Sequence, residues 1–365
     1  MNQTLQSRTV YDADRADAFM GEVATILNHG AVGLMLALGH RAGLLDTLAG
    51  LLPSTSADIA NAAGLNERYV REWLAVMVTG GVVTYDPAAK TYRLPAEHAA
   101  SLTRNGQLAN LAVYAQFLTL AGKVEEPLLE AFKTGAGIPY EGYPCFHQIM
   151  AEDSQQTVVA GIGDILGTIA PDVVCRLEAG IDVLDAGCGA GRAVIRMAEL
   201  FPQSRFAGLD LCEDAIAMAR KEARRRAVAN VSFEVVDLSC FEARAQFDLI
   251  TSFDAVHDTK DPQALLQMFG RALRKGGAHV MQDIGGSAHL ENNLDFPFAP
   301  LLYTGSCVHC TPVSLAQGGE GLGTMWGWET AEAMLKNAGF ASTQRTVLPH
   351  DPMNVWFVSR KEASQ

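Results

Sequence analysis

The chain has 365 residues, 48% hydrophobic and 19% charged, with 41 acidic against 28 basic side chains and a formal net charge of −13. That length fits two to three domains of ~100–200 residues each, and the composition is that of a globular chain with a sizeable core. An acidic surface repels phosphate backbones and anionic lipid, so nucleic acid and membranes are not expected as partners.

At the start, Met-Asn-Gln-Thr-Leu-Gln-Ser-Arg lacks the basic-then-apolar pattern of a signal segment. No uninterrupted apolar run approaches the ~18–20 residues of a membrane helix. Seven scattered cysteines do not form a disulfide framework, and a reducing cytoplasm is the simpler expectation. Residues 15 to 52 read as helices. Thr55-Ser-Ala-Asp58 fits a capping pattern before a helix from Ala57 to Ala63, stopped at Gly64. Asn66 can cap a second helix, Glu67 to Thr79, which stops at Gly80-Gly81. Two short β segments, Val82 to Tyr85 and Thr91 to Leu94, follow through Asp86-Pro87.

Helix, helix, hairpin is the winged-helix pattern, which can bind DNA. Between Ser56 and His98, however, four basic residues face five acidic ones. Glu67 and Arg71, like Arg68 and Glu72, are spaced for pairing along a solvated helix. A recognition helix should present a basic face instead. Dimerisation and substrate covering are therefore the expected roles of this region.

Residues 108 to 170 look helical. Within them Ile138-Pro-Tyr-Glu-Gly-Tyr-Pro-Cys-Phe-His-Gln-Ile-Met150 concentrates aromatics around two helix-breaking prolines. Tyr140, Tyr143, Phe146 and His147 either shape an acceptor pocket or belong to a packed linker.

Then comes Val183-Leu-Asp-Ala-Gly-Cys-Gly-Ala-Gly-Arg192, a short apolar strand, a glycine-rich turn and the start of a helix. Alternate glycines let backbone approach a ligand where a Cβ would clash, and free amides at a helix start favour negative charge. The dinucleotide fingerprint does not fit, because the third glycine comes one residue early and Arg192 stands where the last glycine belongs. Asp210 ends the next strand, where a carboxylate can accept from a ribose diol.

Asp185-Ala-Gly-Cys-Gly-Ala-Gly191 resembles the first motif of class I S-adenosylmethionine-dependent methyltransferases. Val235-Val-Asp237-Leu238 resembles that family's third-strand end, and Phe247-Asp-Leu-Ile-Thr-Ser-Phe253 its fourth strand. Leu273-Arg-Lys-Gly-Gly277 with Ala278-His-Val-Met-Gln-Asp283 resembles the turn into strand five. The order of all these segments, with Phe253-Asp-Ala-Val-His-Asp258 and the glycine-rich run from Ser314, is similar to a bacterial winged-helix subfamily best represented in mycobacteria. The resemblance implies an α/β fold: a Rossmann-like seven-stranded sheet with a reversed last strand, behind an N-terminal helical winged-helix domain. The domains would be 1–107, a connector 108–175, and a cofactor domain 176–365 carrying an insertion at 285–328.

By the same resemblance, S-adenosylmethionine is the cofactor. Asp185 supports its ammonium, Gly187, Cys188, Gly189 and Gly191 cradle it, and Asp210 with Leu211 meets the ribose. Asp237 and Leu238 hold adenine, and Phe253 and Asp254 end strand four beside the methyl group. The acceptor is a small molecule, the assembly a homodimer through the N-terminal domain, and a cofactor-sensing transcriptional regulator is the alternative.

The insertion from Gly285 to Trp328 is 44 residues long, far above the ~4–6 of an ordinary connection. It reads as structureless. It is placed to build the acceptor pocket at the carboxyl ends of the strands, with Tyr303 and Trp326 as lining candidates. Cys307-Val-His-Cys310 lacks an adjacent second ligand pair of the kind a structural zinc site wants, although His257 or His147 could join it in three dimensions; no metal is expected, and the group is read as lining a pocket. His257, with an ordinary pKa near 6.5, is the first candidate base, followed by His309 and His147. Otherwise His257 caps the helix near Asp261-Pro262. Glu329 to Ala338 reads as a helix, and Thr343 to Leu348 with Asn354 to Ser359 as a terminal antiparallel hairpin turning at His350-Asp351-Pro352.

Overall fold

The computed structural model describes residues 11–349 and 351–363. The first eight residues, read above for a signal pattern, and the turn residue His350 lie outside the described residues. The chain divides into two compact units between Thr119 and Leu120.

The first unit is α1 (Ala13–Arg41), α2 (Leu44–Ala49), α3 (Ser56–Ala63), α4 (Glu67–Thr79), the hairpin β1 (Thr84–Asp86) and β2 (Thr91–Arg93), α5 (Ala96–Ala99), and most of α6 (Ala112–Ala121). Thr55 closes a capping box with Asp58, and the Asn66 side chain accepts from the Arg68 amide, so both expected starts hold. The hairpin begins later than the pattern suggests because the Val82 and Val83 amides both turn back to the Met77 carbonyl. Leu45, Ile59, Leu74 and Met77 form the core. The ion pairs Arg68–Glu72 and Arg71–Glu67 lie on exposed α4, as their spacing predicts.

No uninterrupted apolar run marks α1, yet as a 29-residue helix with a window of mean hydropathy 1.3 it is long and apolar enough to cross a membrane. It is a helix of this domain. Ala37 and His40 are buried, and the Trp73 indole donates to the Met35 carbonyl at 2.8 Å.

The second unit opens with α7 (Glu125–Thr134), a 3-10 turn at Tyr140–Gly142, α8 (Phe146–Ser154) running into a π-turn at Gln155–Val159, α9 (Ile162–Ile169) and α10 (Pro171–Ala179). Strands and helices then alternate: β3 (Asp182–Ala186), α11 (Arg192–Leu200), β4 (Arg205–Asp210), α12 (Glu213–Arg225), β5 (Val231–Val235), β6 (Phe247–Phe253), α13 (Pro262–Ala272) and β7 (Leu273–Ile284).

The insertion is not structureless. It holds a 3-10 turn at Leu290–Asn293, α14 (Ala299–Gly305), a π-turn at Ser306–Cys310 and α15 (Thr311–Ala316). Pro300 sits in the first turn of α14, where a missing amide costs nothing. The chain closes with α16 (Trp328–Asn337), β8 (Ser342–Leu348) and β9 (Asp351–Arg360).

The sheet order is β5-β4-β3-β6-β7-β9-β8. The first five strands in this order run parallel, and β9 runs antiparallel between β7 and β8. Order reverses at β3, which pairs with β4 on one side and β6 on the other. In such sheets ligands gather outside the carboxyl ends beside that reversal. Helices cover both faces. Ile162, Leu166, Val194 and Ile195 are buried on one, and Leu266, Phe269 and Leu335 on the other.

Candidate active site

A cavity opens at the carboxyl edge beside β3. Its wall includes Asp185, Gly187, Cys188, Gly189, Asp210, Leu211, Asp237, Leu238, Phe253 and Asp254. Ten of the eleven residues expected at a cofactor site therefore come together.

Gly191 is the exception. Its φ is +71°, and a Cβ there would sit 2.7 Å from the Phe233 ring and 2.8 Å from the Ala219 methyl. It lets α11 start close against the sheet rather than touching the cavity. Gly187 has φ +75°, and a Cβ would come within 2.6 Å of the Ala255 methyl. The Gly187 and Cys188 amides both donate to the Leu209 carbonyl, while Gly189 donates to Asp210 Oδ2 at 2.8 Å. Asp210 thus holds the loop, and its Oδ1 accepts from the Cys212 amide at 2.9 Å. Each oxygen keeps a second lone pair for a ligand.

Asp185 is buried, and Thr251 donates to its Oδ1 at 2.7 Å. Burial, opposed by that hydrogen bond and reinforced by nearby Asp210, lifts its pKa to about 7. Asp254 follows β6 with φ +52°, and its buried Oδ1 has no hydrogen-bond partner among the described residues. Burial pushes its pKa to about 7 against the pull of His257. A left-handed backbone at a non-glycine residue is strain of the kind that collects at functional sites.

The three histidines separate. His147 lines the cavity, and burial lowers its pKa despite the opposing pull of Asp210 and Asp214. His257 does not reach the wall. It is 2% exposed, with Nδ1 2.9 Å from Asp283 and Nε2 3.4 Å from Asp258. Burial pulls its pKa down, but Asp283 and Asp258 outweigh burial and hold it well above the ordinary value. Nor does it cap the following helix, because the Asp261 side chain accepts from the Ala264 amide instead. His309 is also buried off the wall, stacked on Phe146 with centroids 3.7 Å apart, and burial lowers its pKa to about 4.

Among the acceptor-pocket candidates, Tyr140 lines the cavity and its hydroxyl donates to Asp258 Oδ2 at 3.2 Å. Tyr143, Tyr303 and Trp326 are not on that wall. The Tyr143 hydroxyl donates to the Val308 carbonyl, Asn293 donates to the Tyr303 hydroxyl, and the buried Trp326 indole donates to Asp283. Each ring secures the insertion or the strand end. The 138–150 segment serves both readings considered for it: Phe146 and His147 reach the cavity while Tyr143 packs.

Met150, Thr157, Asp258, Lys260, Gln282 and Gln317 also line the cavity without having been singled out as wall residues. Thr157 arrives through the π-turn, which no simple periodicity signals. Gln317 arrives through the folded insertion, where its amide donates to the Asp258 carbonyl at 3.0 Å.

Residues 177–339 match a family model described as a methyltransferase domain, and residues 30–104 match the Rv2258c-like winged HTH domain. Residues 177–339 are thus similar to a methyltransferase domain. Phosphoethanolamine N-methyltransferase 1 of Triticum aestivum is 36% identical over 108 residues, covering 29% of this chain and 21% of that protein. Trans-aconitate 2-methyltransferase of Deinococcus radiodurans is 32% identical over 112 residues, 31% of this chain and 41% of that one. The chain thus spans less than half the length of either relative. The methyltransferase fold extends further than sequence identity does. Human N-acetylserotonin methyltransferase, solved with S-adenosylmethionine, superposes with a TM-score of 0.68 at 16% identity, covering 98% of this chain and 100% of that one.

Proposed function

We propose that this protein transfers the methyl group of S-adenosylmethionine to a small-molecule acceptor. The observation that carries the reading is one cavity walled by Asp185, Asp210, Asp237 and the Gly187–Gly189 turn at the sheet's reversal. The site suits the cofactor physically. A buried carboxyl whose pKa stands at about 7 gains from a cationic partner, and a turn without side chains admits a close ligand. Asp185 would hold the ammonium, Asp210 with Leu211 the ribose hydroxyls, and Asp237 with Leu238 the adenine, leaving Phe253 and Asp254 at the reacting end. The cofactor brings a methyl group already activated by sulfonium charge.

What remains for the chain is to align the acceptor, exclude water and take a proton where the acceptor bears one. His147 is the base we assign, because it alone of the three candidate histidines lines the cavity and burial keeps it neutral near pH 7. Tyr140 stands beside it, ring centroids 5.9 Å apart.

We infer a homodimer through the first unit, supported by the exposed apolar residues Phe19, Met20, Ile26 and Leu27 along α1. A cytoplasmic location fits seven free cysteines. The regulator reading would need α4 to offer arginines to DNA, whereas Arg68 and Arg71 pair with Glu72 and Glu67.

Calorimetric titration with S-adenosylmethionine tests the cofactor site. Heat from the sulfonium nucleoside and none from a nicotinamide dinucleotide is expected, and the reverse overturns the assignment. Incubating metabolite extracts with isotopically labelled cofactor then identifies the acceptor by its label.

A further inference from the structure

Behind the cavity wall, groups from the end of β6 and from the folded insertion converge. An imidazole nitrogen of His257, a carboxylate oxygen of Asp258 and Cys310 Sγ all lie within 4.8 Å of one another. We propose that His257, Asp258 and Cys310 bind a divalent cation of the zinc type.

His257 Nδ1 is engaged by Asp283, which accepts from it at 2.9 Å. Nε2 is therefore the nitrogen left to meet a cation, which would displace the proton it carries. It faces Asp258 Oδ1 at 3.4 Å, and that oxygen is buried with no hydrogen-bond partner among the described residues. A carboxylate oxygen and a sulfur crowding the buried Nε2 favour positive charge at that point, carried by the imidazole's own proton in the metal-free protein and by the cation once it binds.

Every converging group is also oriented from outside the cluster. Asp283 fixes His257 and is itself held by the Trp326 indole and the Ile284 amide. Tyr140 donates to the far oxygen of Asp258 at 3.2 Å. Thr324 Oγ1 donates to Cys310 Sγ at 3.0 Å. Carboxylate-to-histidine support of this kind typifies metal centres, where outer partners set tautomer and direction. A second grouping, Asp254, His257 and Asp283, shares this histidine. Asp283 is committed there as the outer support, so the cation belongs on the Nε2 side.

The donor set selects the metal. A thiolate with an imidazole disfavours magnesium and calcium, while one sulfur, one nitrogen and one oxygen suit zinc. Three protein ligands leave a fourth position, as in zinc centres that bind a reacting group. The His309 imidazole lies nearby, its Nδ1 3.8 Å from Cys310 Sγ and 3.9 Å from Asp258 Oδ2. Because Asp258 and Tyr140 also line the cavity, the cation would sit at the acceptor's border. Cys307, which the sequence places beside His309 and Cys310, is exposed and outside the cluster.

The test uses the full chain without a histidine tag, purified without chelator from zinc-supplemented cells. Elemental analysis should return about one zinc per chain. After chelation, added Co2+ should give a thiolate-to-cobalt charge-transfer band and tetrahedral ligand-field bands. Cys310→Ser should remove the charge-transfer band and Asp258→Asn should weaken Co2+ binding at least tenfold, while Cys307→Ser should change neither. Should Cys310→Ser fail to fold, zinc stoichiometry and the Cys307→Ser spectrum still decide. Natively folded protein that holds no stoichiometric zinc and gives no cobalt–thiolate band overturns the site. A spectrum that depends on Cys307 instead of Cys310 overturns it equally. Neither readout requires methyl transfer, so this inference and the proposed activity fail separately.

Discussion

Replacing Asp185 with asparagine should remove a specific pH dependence from cofactor binding. The carboxyl is 2% exposed, and burial raises its pKa to about 7. In the free protein at pH 6 roughly ten carboxyls are neutral for each one ionised, and at pH 8 the ratio reverses. Only the ionised form pairs with an ammonium. Wild-type affinity should therefore weaken about tenfold from pH 8 to pH 6, close to 1.4 kcal/mol. Binding at pH 6 should release nearly one proton, visible as a buffer-dependent heat. Asp185→Asn should bind roughly 10- to 150-fold more weakly at pH 8, the scale of a lost hydrogen bond to a charged group at ~1.5–3 kcal/mol. It should also lose the tenfold slope. The sign extends to folding. A carboxyl whose pKa is raised by folding makes the ligand-free protein less stable as pH rises from about 4 through about 7. Calorimetry in two buffers at pH 6, 7 and 8 decides. A wild-type profile as flat as the variant's, or a variant that keeps the slope and the proton release, refutes the assignment of Asp185 to the cofactor.

Other expectations follow from the same geometry. His147→Ala should slow methyl transfer to an oxygen, nitrogen or sulfur acceptor by ~10²–10⁴-fold and leave cofactor affinity within about twofold; an unchanged single-turnover rate removes His147 from the mechanism. Gly191→Ala forces a side chain into a left-handed backbone, ~1–2 kcal/mol, and against Phe233 and Ala219, ~1–3 kcal/mol; urea melts should show a loss of about 2–5 kcal/mol, and a change under 0.5 contradicts the contact. His279 is buried, and burial holds its pKa down at about 3. Its contribution is complete above the unfolded pKa of about 6.5 and lost as pH falls toward about 3, so urea melts at pH 7 and pH 5 should differ by roughly 2 kcal/mol more in wild type than in His279→Gln. Phe19→Asp with Ile26→Asp should shift the protein to a monomer in analytical ultracentrifugation; an unchanged dimer places the interface elsewhere.

The parts legible in the sequence were those governed by local periodicity and turn chemistry. The cap at Asn66, the glycine bend at 187–191 and the carboxylates closing β3 and β4 are each decided within a few residues, so their spacing was sufficient. Glycines that resemble one another in sequence nevertheless divided in space. Gly187 and Gly189 face the cavity while Gly191 faces Phe233, because only the packing of α11 on the sheet sets which way each one looks. The histidines show the same limit. Nothing near His257 or His309 in sequence tells that they miss the cavity wall, since His257 is held by Asp283, 26 residues away, and His309 by the Phe146 ring of another segment. Only tertiary structure also decided that the insertion folds and brings Cys310 to His257. That meeting joins groups 53 positions apart in the sequence, across a stretch whose glycines and prolines blur any periodic signal.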